Sequence, residues 1–523
     1  MIYGLKLLLP VLLLGAFAAF ALRAAFSSLL TPSEYRRAWT TILVGTVVSF
    51  LSIRLGVFVA CLAVVGLWAQ SAMGGGARAK LSVFLLLVIA TPPLYFEIGG
   101  IAGVNYLIDL TGARVLAIVL LPGLALKLAS DSTYRRQSWV TVVDVAVVLY
   151  QVWRIALLVP STNTTSLLRA TVESLLDILL PYYVFSRGIR TSADLRFILS
   201  HVALALGFAA TLGVVEEFAH RTFYNSLQWV YGLQWQLTFE LARGSHLRVQ
   251  AMTPQPILLA FEMIVALGIW AYLRGAEWRR PSAFFIFALL GACLTFTWSR
   301  GPWLGAMALF ICMLGLRKMP RKVFGTLLVL FIAGGLLIKA IGADEVVMSL
   351  LGGLFGSGAA DLDSIAYRKQ LLDTALALLR QSPWLGVPNY AAQMQDLKQG
   401  EGIIDLVNSY VAIALNTGVI GLVIYMLPFV VTLRRMLGVP PAGDADASAE
   451  ASNTDRFARA FISLTIAALL TIFTTSTFAT IPLILTLLLA LPVAALTLSA
   501  NAEVRANVER MDPFGRRIVP SPR

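Results

Sequence analysis

The chain has 523 residues, 58% of them hydrophobic and 13% charged, with a formal net charge of +13. Soluble domains carry charge on about a quarter of their residues, so this composition excludes a soluble globular fold. The surplus of cations does not point to nucleic acid either, because it sits in short loops beside apolar runs and not in one basic domain. A bilayer-crossing helix needs about 20 apolar residues, somewhat fewer in tightly paired helices. Runs of this kind fall near 5–25, 38–53, 55–72, 82–96, 113–129, 139–158, 169–187, 195–216, 254–274, 283–299, 302–316, 323–342, 408–431, 459–477 and 479–498. Only Lys6 precedes the first run and no cleavage site follows it, so it reads as a span and not as a signal peptide. The pair 38–53 and 55–72, hinged at Arg54, is either two spans or one broken unit. The expected fold class is therefore an all-α polytopic membrane protein with about 13–15 transmembrane helices.

The basic residues set the orientation. Arg36/Arg37, Arg78/Lys80, Arg135/Arg136, Arg187/Arg190/Arg196, Arg274/Arg279/Arg280, Arg317/Lys318/Arg321/Lys322, Arg434/Arg435 and the tail from Arg505 all follow odd-numbered spans. Cytoplasmic loops concentrate Lys and Arg, so the N-terminus is expected in the periplasm and the C-terminus in the cytoplasm of a bacterial inner membrane. This divides the chain into an N-terminal bundle (1–216), a periplasmic loop (217–253) and helices with a central turn (254–342). There follow a large periplasmic loop with amphipathic helices (343–407), C-terminal helices (408–498) with a cytoplasmic linker (438–455), and a basic tail (499–523). The large loop holds eight Asp/Glu and four Lys/Arg, and the apolar period of Ala366–Leu379 predicts an amphipathic helix there. Cys61, Cys293 and Cys312 each lie in an apolar run without metal-ligand spacing, and His201, His220 and His246 form no HxxxH pair.

Three constellations carry candidate chemistry. Thr297-Trp298-Ser299-Arg300-Gly301-Pro302-Trp303-Leu304-Gly305 is a tight turn between two spans on the periplasmic side. There Arg300 is a cation where topology selects none: either a headgroup anchor or an anion clamp at a helix start. Tyr367-Arg368-Lys369-Gln370-Leu371-Leu372 lies on the amphipathic helix and leads to Gln381-Ser382-Pro383-Trp384-Leu385-Gly386-Val387-Pro388. Asp405-Leu406-Val407-Asn408-Ser409-Tyr410 opens a span that continues to Gly418-Val419-Ile420-Gly421, with Asn408 or Ser409 suited to cap it. Within spans, Arg154 and Glu173 are placed to pair across a hairpin, with Asp144 and Asp177 deeper, as charges in lipid require. Trp229, Tyr231 and Trp235 read either as an interfacial belt or as a sugar-stacking surface.

Taken in order, Ser299–Gly305, Arg368–Leu372, Pro383–Pro388 and Asn408–Gly421 resemble the motifs of the O-antigen ligase/polymerase family of bacterial membrane glycosyltransferases. The motif-bearing part covers about residues 283–431. Ligases of that family carry a His before the Asn at the position of Asn408; Val407 stands there, and Pro388 replaces the second Gly of a Gly-x-Gly stretch. The missing His leans toward a polymerase. The resemblance implies a polyprenyl-diphosphate-linked oligosaccharide as substrate, with a flippase and a chain-length regulator as candidate partners alongside membrane lipids. It implies Arg300 and Arg368 as catalytic cations, Asp405 as the nearest base with Glu401 behind it, and Arg248, Ser299, Asn408, Tyr410 and Trp235 as substrate contacts. No cofactor is implied and the transfer is expected to be metal-independent; Asp361-x-Asp363 has metal spacing but reads as a solvated loop. The expected function is polymerisation of lipid-linked repeat units for exopolysaccharide or O-antigen. The alternatives are a ligase that moves a glycan to a lipid or protein, and a lipid-linked oligosaccharide flippase.

Overall fold

The computed structural model describes residues 2–100, 106–131, 137–233, 237, 240–321, 323–326, 359–388, 390–395, 406, 408–441 and 449–509. It is an all-α polytopic membrane protein. Among the described residues, eight helices are long and apolar enough to cross a membrane, and the bent pair Gly112–Leu120 and Pro122–Ala129 makes a ninth. The bend falls where Pro122 removes a backbone donor. Helices dominate because each satisfies its own backbone polar groups, which lipid cannot do.

Their boundaries follow local chemistry. Thr31 and Glu34 form a reciprocal capping box at Pro32–Leu51, and Asn163 and Thr191 cap the helices that follow them. Pro256 and Pro281 occupy first-turn positions, where a missing N–H costs nothing. Arg54 separates Pro32–Leu51 from Leu55–Ala72, so the hinged pair is two helices. The expected span 169–187 is broken into Thr164–Ser174, a π-helical turn Leu175–Leu179 and Leu180–Gly188. Pro92-Pro93 ends Ala77–Ala90, and a small antiparallel hairpin follows, pairing Tyr95 with Thr111 and Glu97 with Asp109. That hairpin was not expected, because its apolar residues continue the run before it.

The Ser192–Ala219 and Pro256–Arg274 helices are 89% buried over their apolar windows and form the centre; Gly4–Ala21, Leu55–Ala72 and Ser138–Leu158 are 33% buried and form the rim. Rim side chains such as Phe20, Leu126 and Val423 point outward, as a hydrocarbon solvent allows. The Arg300–Lys318 helix meets Ala449–Phe473 very closely: a Cβ on Gly305 would strike the Thr471 side chain and lie 3.1 Å from the Ala467 carbonyl.

The connections gather at two ends. At the first, Arg274 Nη1 donates to Ser28 Oγ (2.7 Å), Arg321 pairs with Asp455, and Arg190 pairs with Asp131. This end carries the clustered basic loops. At the opposite end, Tyr231 donates to the Ser49 carbonyl (2.7 Å) and Ser409 to the Thr475 carbonyl (2.6 Å). Four of the charges within spans pair with each other or with Arg114, but not as expected, and Arg154 does not take Glu173. Arg114 takes both Glu173 (3.0 Å) and Asp177 (2.7 Å), and Arg187 takes Asp144 (2.7 Å). Arg114 wins because it follows the Thr111 cap at the start of its helix and presents its fork to the π-helical turn.

Candidate functional site

The Pro281–Phe296 helix ends and the Arg300–Lys318 helix begins within three residues. Thr297 folds its hydroxyl back onto the Leu294 carbonyl (2.7 Å), and Trp298 adopts φ 50, a left-handed conformation that bulky residues rarely take. A turn of this shape needs external support. It comes from residues 240–250, which form a two-residue hairpin, Ala242–Arg243 against His246–Leu247, around Gly244 at φ 62. Arg243 donates to the Trp298 carbonyl (3.0 Å). Arg248 donates through Nε to the Thr297 carbonyl (3.2 Å) and through Nη2 to Ser299 Oγ (3.0 Å). The His246 ring stacks on Trp298 at 4.4 Å.

Two helix dipoles meet here. The arginines of the hairpin sit on the negative C-terminal end of one helix, and exposed Arg300 opens the positive N-terminal end of the next. Ser299 is buried in the N-cap position, and its hydroxyl is turned to Thr297 and Arg248. Arg248, Ser299 and Arg300 are thus brought together as expected, with Arg243 added.

Two carboxylates anchor the hairpin. Buried Glu216 accepts from the amides of Phe223 (2.9 Å), Gln250 (2.9 Å) and Ala251 (2.8 Å). Its neighbour Glu217 meets His246 Nδ1 at 3.0 Å, and the second Glu217 oxygen is buried without a hydrogen-bond partner. If Nδ1 carries the proton shared with Glu217, Nε2 carries the lone pair. This carboxylate–histidine pair was missed. The available signal was two adjacent glutamates at the end of an apolar run, twenty-nine residues before a histidine flanked by arginines.

The third constellation lies one connection away. A Cβ on Gly301 would strike Thr474; the next residue, Thr475, accepts from Ser409, and Ser476 donates to the Leu406 carbonyl (2.9 Å). Asn408 caps its helix through the amides of Tyr410 (3.0 Å) and Val411 (3.3 Å), and Tyr410 donates to the Leu469 carbonyl (2.8 Å). Both therefore hold the scaffold together in this structure. The Ser409–Leu437 helix is broken at Gly418, φ 69, and the Pro383–Val387 segment docks into the break. The Val387 amide donates to the Leu415 carbonyl, the Val419 amide to the Pro383 carbonyl (2.9 Å), and Trp153 Nε1 to the Thr417 carbonyl (3.0 Å). Two motifs that are separate in sequence are one structural unit.

Arg368 lies on the Ala359–Gln381 helix, whose Leu371, Ala375 and Leu378 pack against Met394, Leu406 and Leu415; its side chain lies outside the described residues. Asp405, Glu401, Val407 and Trp235 also lie outside them. Of the aromatic stripe, Trp229 is exposed while Tyr231 is tied to Ser49. Residues 285–426 match the family model described as O-antigen ligase. No curated protein matches the chain. The matched stretch contains Ser299, Arg300, Arg368, Asn408 and Gly418, whereas Glu217, His246 and Arg248 precede it.

Proposed function

We propose, from the match of residues 285–426 to the family model described as O-antigen ligase, that the chain polymerises polyprenyl-diphosphate-linked oligosaccharide repeat units on the periplasmic face of a bacterial inner membrane. The observation that supports this reading is the convergence of Arg243, Arg248 and Arg300 on one turn beside the His246–Glu217 pair. In glycosyl transfer the acceptor hydroxyl attacks the anomeric carbon of the donor. The anomeric C–O bond breaks, and its electron pair leaves on the diphosphate. Preorganised cations aimed at that charge lower the barrier, and guanidinium groups bind phosphate oxygens bidentately. The acceptor proton passes to His246 Nε2, and Glu217 stabilises the imidazolium formed. Arg368 and Asp405 enter this scheme from the large loop. The positive-inside bias of the basic end supports an N-terminus outside and a C-terminus inside.

The family description favours a second reading, a ligase that delivers finished glycan to an acceptor. His246 supplies a histidine to the arginine turn from another segment, so the absence of one at Val407 argues less strongly against it. Extracted lipid-linked glycans separate the readings. A deletion strain should accumulate single repeat units on the periplasmic leaflet, and a strain carrying His246→Gln should accumulate the same units. Long undelivered chains would instead identify a ligase, and single units held on the cytoplasmic leaflet a flippase.

A further inference from the structure

A cavity of ≈ 220 Å³ runs along the Ser138–Leu158 helix between it and the Leu180–Gly188, Ser409–Leu437 and Ile481–Glu509 helices. Ala146, Val147, Tyr150, Gln151 and Arg154 line it from one helix face, which at 1.5 Å per residue extends about 12 Å. The lining is mostly apolar, with Tyr182 and Thr486 among its walls. Arg154 and Thr477 lie toward the end that holds the arginine turn, and Phe429, Leu485 and Leu489 wall the remainder.

Arg154 is a cation in a membrane helix with no carboxylate partner among the described residues. Arg114 occupies Glu173 and Asp177, and among the described residues Arg154 donates to Ser174 Oγ (2.6 Å). Its Nε is buried without a partner. So is the amide oxygen of Gln151, a residue 3% exposed. A guanidinium in hydrocarbon is costly unless something neutralises it. An anionic head on an apolar chain matches a mostly apolar cavity that carries this cation, and the arginine fork suits a phosphate.

We propose that this cavity binds the phosphate head and first lipid carbons of the acceptor glycan. The inference rests on the polymerase reading, since joining two lipid-linked units requires two lipid phosphates to be held at once. The donor's phosphate bond breaks, so it belongs at the clustered arginines. The acceptor's lipid bond stays intact and needs only an anchor, which the one arginine in the lining, Arg154, provides. Trp153, beside Arg154, bonds the Thr417 carbonyl at the helix break, which ties this face to the docked loop.

The test is photolabelling of the purified full-length protein with a diazirine-bearing polyprenyl phosphate, followed by peptide mapping. Two labelled regions are expected, one of them containing residues 146–154 or 485–489. Arg154→Gln should cut that label at least about tenfold and leave the other unchanged. Leu485→Trp, which fills the cavity and keeps the cation, should do the same. Unlabelled polyprenyl phosphate should compete, and a hundredfold excess of phosphatidylglycerol should not. Equal competition by phosphatidylglycerol would make this a bulk-lipid headgroup site and overturn the proposal. Absence of label from this face in the wild type would overturn it as well. Failure of the polymerase reading appears elsewhere, as long chains in the deletion strain, and leaves the labelling result readable.

Discussion

Trp298 holds a strained backbone angle because its ring stacks on His246 and its carbonyl accepts from Arg243. The strain places Ser299 under Arg248 and leaves Arg300 exposed at the start of its helix. Removing a guanidinium that stabilises developing diphosphate charge should cost roughly 3 kcal/mol of transition-state stabilisation, about a hundredfold in rate. Arg300→Ala should therefore abolish polymer with normal protein levels in the membrane, while Arg300→Lys recovers only part, since an ammonium cannot make the fork. Polymer length on gels and membrane immunoblots give both readouts, and near-normal polymer from Arg300→Ala would return the residue to lipid anchoring. Arg300 was legible because it breaks a sign pattern. His246 was not, because its partners Glu217 and Trp298 lie 29 and 52 residues away, and periodicity carries no signal at such separations.

At the level of elements, the docking of Pro383–Val387 into the break at Gly418 joins two motifs whose order was readable and whose contact was not. Glycine is required on both sides: a Cβ on Gly386 would strike the Leu415 carbonyl, and one on Gly418 the Trp384 carbonyl, with φ positive at both. Gly418→Ala should destabilise the docked loop by on the order of 3 kcal/mol. The expected result is faster protease cleavage within residues 382–388 and loss of polymer, from a protein that still inserts. Unchanged cleavage would separate the loop from the break. The apolar run extends past the helix end at Thr91, since Leu94, Tyr95 and Phe96 continue it. The two prolines were the better guide, and they point to the hairpin that followed.

For the whole molecule, the alternation of basic and cation-poor loops corresponds to two physical ends, and the arginine turn, the docked loop and the Arg154 cavity share one of them. Which compartment that end faces can be read directly. In a background lacking Cys61, Cys293 and Cys312, single cysteines near Gln228 and Ser364 should react with an impermeant thiol reagent in intact spheroplasts. One near Ala447 should react only after permeabilisation. A cytoplasmic Ser364 would remove the periplasmic reaction. The all-α membrane class was legible because hydropathy is a local signal, but the expected 13–15 spans exceed the eight or nine among the described residues: the helix of 82–96 stops at Ala90, 169–187 is broken, and most of 323–342 lies outside the described residues. Burial order depends on how helices pack, which no local signal carries. The break at Gly418 exposes carbonyls that hydrocarbon cannot satisfy, and their donors, Trp153 and the Val387 amide, both precede Gly418 in the chain. Synthesis from the N-terminus therefore delivers the donors before the broken span leaves the ribosome, so that this helix can enter the bilayer with its partners already in place.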